Sequence, residues 1–396
     1  LAQYVISPIS VPPPDNSAMD GYAFAGSQLV PGQPLTLRSV GTALAGKAWT
    51  GTVNAGECVK IMTGAIMPAG LDTVVPQEFT TAQGDQITIA PDVLRLGDNR
   101  RFKGEDLMEG GVALARGELL TPAALGLVAS LGLKTVTVSR RLRVAYFSTG
   151  DEILSLGEPP REGAAYDSNR YTVFGLLTRL GVEVIDMGVV RDDPALLEAA
   201  FTEAAQRADA IITSGGVSVG EADHTRATMK KLGDVVFWRV AMRPGRPMAV
   251  GRIAGASLQA KTAPSAQPAS ASSYQNDINA STGGAVLFGL PGNPVSSFVT
   301  FAVLVRPFVL RLQGVRDIAP KKIAATARFD WPKADKRREF LRVRQHPDGG
   351  LELFHNQSSG VLTSAAWGDG LVDNPAGQTI AVGDTVQYLA FSELLQ

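Results

Sequence analysis

Residues 142–152 read LRVAYFSTGDE and residues 208–216 read ADAIITSGG. Each stretch is an apolar run of strand length that leads directly into a loop of small and polar residues, the pattern of a buried parallel strand. The sequence around them predicts further strands at 182–190, 235–240 and 286–290, and helices at 168–180, 194–207, 222–232 and 294–312. Strands alternating with helices of this length predict an α/β domain with a mostly parallel sheet over residues 141–312.

Other domains flank this α/β segment. Short apolar stretches between Gly, Pro and Asn turns predict a β-rich inserted domain over residues 22–107, and alternating segments predict a small β-barrel-like domain over 313–396. Residues 1–21 and 108–140 are left to form a linking domain, with a helix at 121–133 and Thr121 as its N-cap. Residues 254–284 carry almost no large apolar side chains and predict a surface loop.

Composition excludes several classes of function. The chain has 396 residues and a net charge of −1, so no overall field attracts nucleic acid or an acidic membrane. One cysteine and three histidines exclude an internal disulfide, a multi-cysteine zinc site and a histidine-rich metal site. No uninterrupted apolar run has membrane-spanning length, and no signal peptide is recognisable at the start, which favours a reducing, cytoplasmic setting.

Anion-binding loops and carboxylates share the predicted carboxyl edge of the sheet. The loop after residue 213 offers closely spaced backbone N–H donors to an anion, from Ser214, Gly215, Gly216, Ser218 and Gly220. Such a loop alone is more often a plain tight turn. Acids occur in three loops at the same edge: Asp151 and Glu152, Asp192 and Asp193, and Glu221 and Asp223. One of Asp192 and Asp193 is expected to cap a helix, but acids beside an anion loop predict a bridging Mg²⁺.

Arginines form the opposite side of the predicted site. Arg239, Arg243 and Arg246 lie in a turn stiffened by two prolines, and guanidinium groups bind tetrahedral oxyanions well. A solvated charged turn is an even alternative on composition alone. A second rigid turn precedes a helix N-terminus, where an anion is also favoured, and consists of Pro291, Gly292, Asn293 and Pro294. Because nucleophile-elbow, Rossmann and Walker motifs are absent from the sequence, the prediction is a metal, a phosphate and a second oxyanion.

Eight short motifs run in order over almost the whole chain. They are DNSAMDGYA (15–23), IMTG (61–64), RFKGED (101–106), STGDE (148–152), YDSN (166–169), SGGVSVGEAD (214–223), RPGRP (243–247) and LPGNP (290–294). Together they resemble the molybdopterin molybdenumtransferase family, called MoeA, which includes the E domain of gephyrin. Each motif alone is weak, but their joint occurrence is highly specific.

The resemblance implies a homodimer of four-domain subunits. Each active site would lie between the α/β domain of one subunit and the β-rich domain of the other, which would contribute its Asp20 and Thr63. Mg²⁺ would be held by Glu152, Asp192 and Asp223. Arg239 and Arg243 are implied to be catalytic.

The remaining matched residues are implied to bind the substrates. Arg246 and the anion loops would do so together with Thr149, Gly150, Asp151 and Asn169. In the C-terminal domain the match is looser, and Arg342 and Ser359 resemble the family's molybdate-binding pair.

The family reaction takes adenylylated molybdopterin and molybdate, and yields molybdenum cofactor and AMP. The resemblance also implies contact with the molybdopterin adenylyltransferase, and no nucleic-acid or membrane partner. This sequence departs from the family pattern at Arg243 and Arg246, and often at Arg239, where lysine is usual, so that a forked donor replaces a point charge. The helical segment that family members carry before the first residue is missing, and residues 254–284 resemble an insertion.

Two alternative functions are less well matched. The molybdopterin adenylyltransferase shares the α/β domain and its Ser-Gly-Gly loop, but it needs only residues 141–312 and not the flanking domains. A scaffold, as in gephyrin, needs no intact acidic and basic loops, and nothing in the sequence marks a peptide groove. The transferase is therefore the favoured prediction.

Overall fold

A computed structural model of the chain describes residues 1–217, 224–254 and 284–395. Contacts divide the chain into two units, Leu1–Val138 and Ser139–Gln396. The predicted division into four domains is finer than this and stays a prediction.

Unit 1 is built around a mixed six-stranded sheet. Its strands are β1 (Val5–Ile6), β2 (Asn16–Ser17), β3 (Gly21–Phe24), β4 (Leu35–Ala43), β5 (Glu57–Ile61), β6 (Thr73–Pro76), β7 (Thr80–Gln83), β8 (Gln86–Ile89), β9 (Arg100–Arg101) and β10 (Val112–Leu114), followed by helix α1 (Pro122–Ser130). The main sheet has the order β6-β3-β5-β4-β8-β7, and β1-β10 and β2-β9 form two small pairs. The predicted β-rich domain is confirmed.

Sequence patterning explains the elements of unit 1. Successive residues of β3 belong to different cores, since Ala23 packs with Val59 and Val74, whereas Phe24 packs with Leu37. This is the two-residue period of a strand buried on both faces. Helix α1 begins as predicted, because the Thr121 side chain accepts a hydrogen bond from the Ala124 N–H.

Unit 2 begins with the α/β segment. Its elements are β11 (Arg143–Thr149), β12 (Ile153–Leu154), β13 (Ala165–Tyr166), α2 (Ser168–Arg179), β14 (Glu183–Val190), α3 (Pro194–Arg207), β15 (Ala210–Ser214), α4 (His224–Leu232), β16 (Gly233–Arg239), β17 (Met242–Arg243), β18 (Pro247–Ala254), β19 (Gly284–Leu290), α5 (Pro294–Thr300) and α6 (Arg306–Leu312). The predicted alternation of strands and helices is confirmed.

The α/β sheet has the strand order β14-β11-β15-β19-β18-β16. The first four strands run parallel, and β18 is antiparallel to both β19 and β16. The short arginine turn between β16 and β18 requires this change, since a connection without a crossover joins only antiparallel neighbours. As a result, β16 runs in the same direction as β19 and ends at the same edge.

Helices α5 and α6 form one long apolar stretch, interrupted by a π-helical turn at Phe301–Val305. Pro294–Leu312 is the one helix within the described ranges that is long and apolar enough to cross a membrane by length and composition. However, 61% of its most apolar window is buried inside the protein, against β19 and the C-terminal sheet. This stretch is therefore a core helix of unit 2.

The C-terminal part of unit 2 is a second sheet. Its elements are β20 (Ile323–Thr326), β21 (Arg338–Gln345), β22 (Leu351–Leu353), α7 (Thr363–Trp367), β23 (Gly370–Asn374), β24 (Thr385–Ala390) and α8 (Phe391–Leu394). The order is β17-β21-β23-β24-β20, with β22 also on β21. Strand β17 comes from the arginine turn and pairs parallel with β21, which places Arg243 opposite Glu339. The C-terminal sheet thus holds the basic turn at its edge.

Candidate active site

The acidic loops meet at the carboxyl edge of the α/β sheet. Strands β11 and β14 are parallel neighbours, and the Asp192 N–H after β14 donates to Asp151 Oδ1 after β11 at 3.3 Å. The Thr225 hydroxyl of α4 donates to Asp192 Oδ1, also at 3.3 Å. Asp193 instead caps α3, accepting from the N–H groups of Ala195 and Leu196. This settles which of the two neighbouring carboxylates is the cap.

The acidic side forms only part of the predicted metal site. Glu152 is exposed, and its carboxylate folds back over Gly150. Across the ranges that the structure covers, no group of three or more His, Cys, Asp or Glu side chains is placed to hold a metal ion. Asp223 lies outside the described residues, as do Ser218, Gly220 and Glu221. The three-carboxylate metal site stays a prediction.

Glycines let three loops come together in the middle of the sheet edge. Gly215 has φ +94°, and a Cβ there would stand 2.4 Å from the Thr149 carbonyl oxygen. Gly216 has φ +65° and packs directly on Thr225. Because L side chains rarely adopt such φ values, only glycine fits these two positions.

Asn169 joins two of these loops from helix α2. Its Nδ2 donates to Ser214 Oγ at 3.1 Å and to the Gly292 carbonyl at 2.7 Å. The side-chain oxygen of Asn169 is buried without a hydrogen-bond partner. Asn169 therefore links the Ser-Gly-Gly loop to the Leu290–Pro294 turn, as expected of residues that share one site.

The basic turn is packed tightly against helix α5. Gly245 has φ +102°, and a Cβ at this position would lie 2.2 Å from Thr300 Oγ1 and 3.4 Å from the Ser296 carbonyl. The Val240 N–H donates to the Arg246 carbonyl and closes the turn. The arginines that flank this packed turn, Arg239, Arg243 and Arg246, are all exposed.

A cavity of about 560 Å³ lies beside this turn. Three segments form its wall: the turn itself, the start of α5, and the C-terminal residues on either side of β21. Of the predicted site residues, it is lined by Arg243, Arg246, Asn293 and Ser359. Asn293 Nδ2 donates to Ser359 Oγ at 3.2 Å, and the Val295 N–H donates to the Ser359 carbonyl at 3.0 Å. These bonds fasten the two walls together.

Carboxylates balance part of the positive charge of this cavity. Arg243 lies 3.4 Å from both Asp335 and Glu339. The Glu339 side chain is 2% exposed and also accepts from Trp331 Nε1 at 2.7 Å. No described acidic residue pairs with Arg246. The cavity therefore keeps guanidinium N–H groups for an external anion.

The acidic and basic sides occupy the same sheet edge but do not face each other closely. Strands β11 and β16 are separated by β15, β19 and β18. Four strand spacings correspond to roughly 19 Å. The Ser-Gly-Gly loop and the Leu290–Pro294 turn lie between the two sides, and the cavity at the basic turn is not lined by the acidic loops.

Comparison with known proteins covers nearly the whole chain. The MoeA N-terminal region (domain I and II) matches residues 1–132, the "Probable molybdopterin binding domain" matches 145–311, and the MoeA C-terminal region (domain IV) matches 324–391. A protein of Haemophilus influenzae named molybdopterin molybdenumtransferase is 42% identical over 86% of this chain and 77% of its own length. The chain belongs to the MoeA family.

Other MoeA relatives match a greater share of this chain at lower identity. A molybdopterin molybdenumtransferase of Nostoc is 33% identical over 98% of this chain and 85% of its own. A solved MoeA structure from Pyrococcus horikoshii is 30% identical, with a TM-score of 0.71 over 98% of this chain and 90% of that one. The predicted fold class is thereby confirmed.

The predicted pair Asp20 and Thr63 does come together in unit 1. The N–H and the hydroxyl of Thr63 both donate to Asp20 Oδ1 at 2.7 Å. These bonds, chiefly that of the backbone N–H, hold the pKa of Asp20 below its usual value. Both residues are exposed, so the pair presents an ionised carboxylate to solvent.

Arg342 was predicted to bind molybdate, but it does not line the cavity beside the basic turn. It is 1% exposed, and its guanidinium donates to Ser364 Oγ, to the Phe340 carbonyl and to the Ser358 carbonyl. Burial, with a smaller contribution from Arg243, lowers the pKa of Arg342 to about 10, so it stays protonated at neutral pH. Arg342 therefore supports the loop that carries Ser359.

Arg337 is the arginine of the cavity wall that sequence reasoning missed. It precedes β21 and lines the cavity together with Trp331 and His355. The matched motifs end before this region, and only the pairing of β17 with β21 brings Arg337 beside the basic turn. Its nearness to Arg342 in the sequence was the one available signal.

Proposed function

We propose that this chain is a molybdopterin molybdenumtransferase, which transfers molybdenum from molybdate to molybdopterin in cytoplasmic molybdenum-cofactor biosynthesis. The observation that carries the proposal is the cavity lined by Arg243, Arg246 and Arg337. Molybdate is a tetrahedral dianion, and forked guanidinium donors suit such oxyanions. Membership of the MoeA family supports the same activity.

The basic cavity serves to position one anion beside another. Arg243, Arg246 and Arg337 neutralise the dianion, while Asn293 at the start of α5 offers an amide and Ser359 of the C-terminal segment offers a hydroxyl. Two negatively charged substrates repel each other in water, so fixed cations lower the cost of their approach. No covalent intermediate with the enzyme is needed.

The second substrate, adenylylated molybdopterin, would lie along the sheet edge towards the acidic loops. The Ser-Gly-Gly loop lies at the centre of this edge, at the end of β15, and loops of this kind present closely spaced backbone N–H groups to a phosphate. The roughly 19 Å between β11 and β16 is ample for an extended nucleotide conjugate. The acidic end would then receive the phosphate linkage.

The acidic end fits Mg²⁺ chemically. Asp151 and Asp192 are held together by the 3.3 Å backbone bond, and both offer hard oxygen donors. Mg²⁺ commonly takes only one or two protein carboxylates and completes its shell with water and phosphate oxygens. When bound, the ion would screen the charge of the phosphate linkage.

Asp192→Asn should raise the Mg²⁺ concentration needed for half-maximal turnover by about 10- to 100-fold, since a donor to the metal site is lost. Asp193→Asn is the matched control, because asparagine keeps the helix cap and removes the same charge one residue away. The measurement is turnover against Mg²⁺ concentration for both variants. Equal shifts in the two would exclude Asp192 from the metal site.

We further propose that the active chain is a homodimer in which Asp20 and Thr63 complete the partner's site, and that it contacts the adenylyltransferase that supplies its substrate. The exposed, ionised Asp20 carboxylate supports this, since no described residue of unit 1 beyond Thr63 hydrogen-bonds to it.

Mixing Asp20→Asn with Arg243→Ala subunits tests the shared site. Each variant alone should be inactive, whereas exchange of subunits should restore about one quarter of the wild-type rate, because half of the dimers regain one intact site. An unrestored mixture with demonstrated exchange would contradict a shared site.

The proposed reaction is tested by incubating the protein with adenylylated molybdopterin, Mg²⁺ and molybdate, and measuring AMP. We expect AMP release that depends on molybdate. Release that is the same with and without molybdate, or no release at all, would overturn the proposal.

A further inference from the structure

Asp335 contacts two of the three arginines that line the basic cavity. Arg337 donates to it through Nε at 2.9 Å and through NH2 at 2.7 Å, a forked pair. Arg243 NH1 lies 3.4 Å from Asp335 Oδ2. Asp335 itself does not line the cavity, so it acts on an anion there only through these arginines.

The Asp335 carboxylate is ionised at neutral pH, because its arginine neighbours stabilise the charged form. Hydrogen bonding to Arg337 holds its pKa well below the usual range, with a further contribution from Arg243. Its Oδ1 also accepts the Arg337 backbone N–H at 3.0 Å, which fixes a tight turn. The carboxylate is therefore a fixed negative charge at the edge of the cavity.

Asp335 and an oxyanion in the cavity can compete for the same N–H donors of Arg337. The Nε and NH2 donors of the Arg337 fork are both engaged by Asp335, and a tetrahedral oxyanion binding the same fork has to take those N–H donors away. Glu339 cannot replace Asp335 in this role, because it is buried and bound by Trp331. When the oxyanion leaves, Asp335 can satisfy the arginines again.

We propose that Asp335 is a built-in counter-anion that competes with the bound oxyanion for Arg243 and Arg337, so that the cavity holds a dianion loosely enough to pass it on. The benefit to molybdate transfer rests on the proposed function, but competition between Asp335 and an oxyanion for the arginines depends on the cavity alone. A substrate bound too tightly before transfer raises the barrier to the next step. Asp335 limits that affinity.

Charge predicts how strongly each anion responds. If the Asp335 carboxylate lies roughly 6 Å from the bound anion, removing its charge strengthens binding of a dianion about tenfold, even with the dielectric constant of water. A monoanion feels half of that interaction, which corresponds to about threefold. Molybdate and perrhenate are tetrahedral oxyanions of like shape that differ in this charge.

The test is calorimetric titration of the full-length protein with molybdate and with perrhenate. Asp335→Asn keeps an oxygen for the Arg337 N–H, and we expect about tenfold tighter molybdate and about threefold tighter perrhenate. Asp335→Ser provides a second uncharged variant that can still accept in the turn. Asp384→Asn is the control, since Asp384 also accepts a backbone N–H in a turn of the same sheet, away from the cavity.

Equal changes for the two anions, or no tightening, would overturn the proposal, because a merely structural role would not follow anion charge. Absence of binding in every variant would overturn it as well. AMP release is measured separately on the same proteins. If AMP release still depends on molybdate but anion binding does not tighten with anion charge, only the role of Asp335 is excluded. If the wild-type protein releases no AMP in response to molybdate, the proposed function is excluded.

Discussion

Arg243→Ala should lower kcat/KM for molybdate by about 100-fold or more in the AMP-release assay, the usual effect of removing a donor that stabilises a developing or transferred anion. The residue lines the cavity and is the contact that links it to both Asp335 and Glu339. Its loss removes a cation from the site and leaves the buried Glu339 carboxylate with only neutral partners. Both effects weaken binding of a dianion.

Matched variants separate charge from shape at this position. Arg243→Lys keeps the charge that the family usually places here and should stay within about tenfold of wild type. Arg328→Ala removes an exposed arginine just after β20 of the same sheet, whose guanidinium donates to the Gly349 carbonyl and does not line the cavity, and should have no effect. An Arg243→Ala variant with near-normal molybdate dependence would exclude the cavity from the reaction.

Gly245→Ala should both destabilise unit 2 and inactivate the enzyme. The residue has φ +102°, and a Cβ would stand 2.2 Å from Thr300 Oγ1, a fully buried side chain with little room to move. We expect a loss of about 1–3 kcal/mol in the free energy of unfolding. Because Arg243 and Arg246 flank this glycine, any relief of the clash displaces them and lowers turnover more than tenfold.

Gly175→Ala is the control for this change. Gly175 lies in α2 without a positive φ, and a Cβ added there would meet nothing within 4 Å, so alanine should stabilise the helix by up to about 1 kcal/mol. Urea unfolding and AMP release measured on both variants give the comparison. A Gly245→Ala protein as stable and active as wild type would show that the turn is not fixed by its contact with α5.

Local patterns were sufficient for most of the fold. The apolar runs that became β11 and β15, the Pro194–Arg207 helix and the Thr121 cap are all set by residues close in sequence. Strand β18 was not predicted, and it runs opposite to the other strands of this sheet. Its direction follows from the short arginine turn, because a connection this short joins β16 only to an antiparallel neighbour.

The candidate site was only partly predictable from the sequence. The sequence predicted that the loops after β11, β14, β15 and β19 share one edge, but it did not predict the strand order, which sets the distance between the acidic and basic sides. The sequence analysis named Arg342 and not Arg337, because the looser resemblance in the C-terminal domain fell on Arg342. Strand β21 is buried on both faces around Arg342. An alternation of apolar and polar residues therefore could not indicate which of its side chains face the cavity.

The central claim is that the cavity at the basic turn binds molybdate. Its most direct test is a crystal soaked with tungstate, the heavier tetrahedral analogue, with the metal located by anomalous scattering. We predict one strong peak between the guanidinium groups of Arg243 and Arg337 and the Ser359 hydroxyl. A peak confined to the acidic loops around Asp151 and Asp192, or no ordered tungsten in unit 2, would contradict the account.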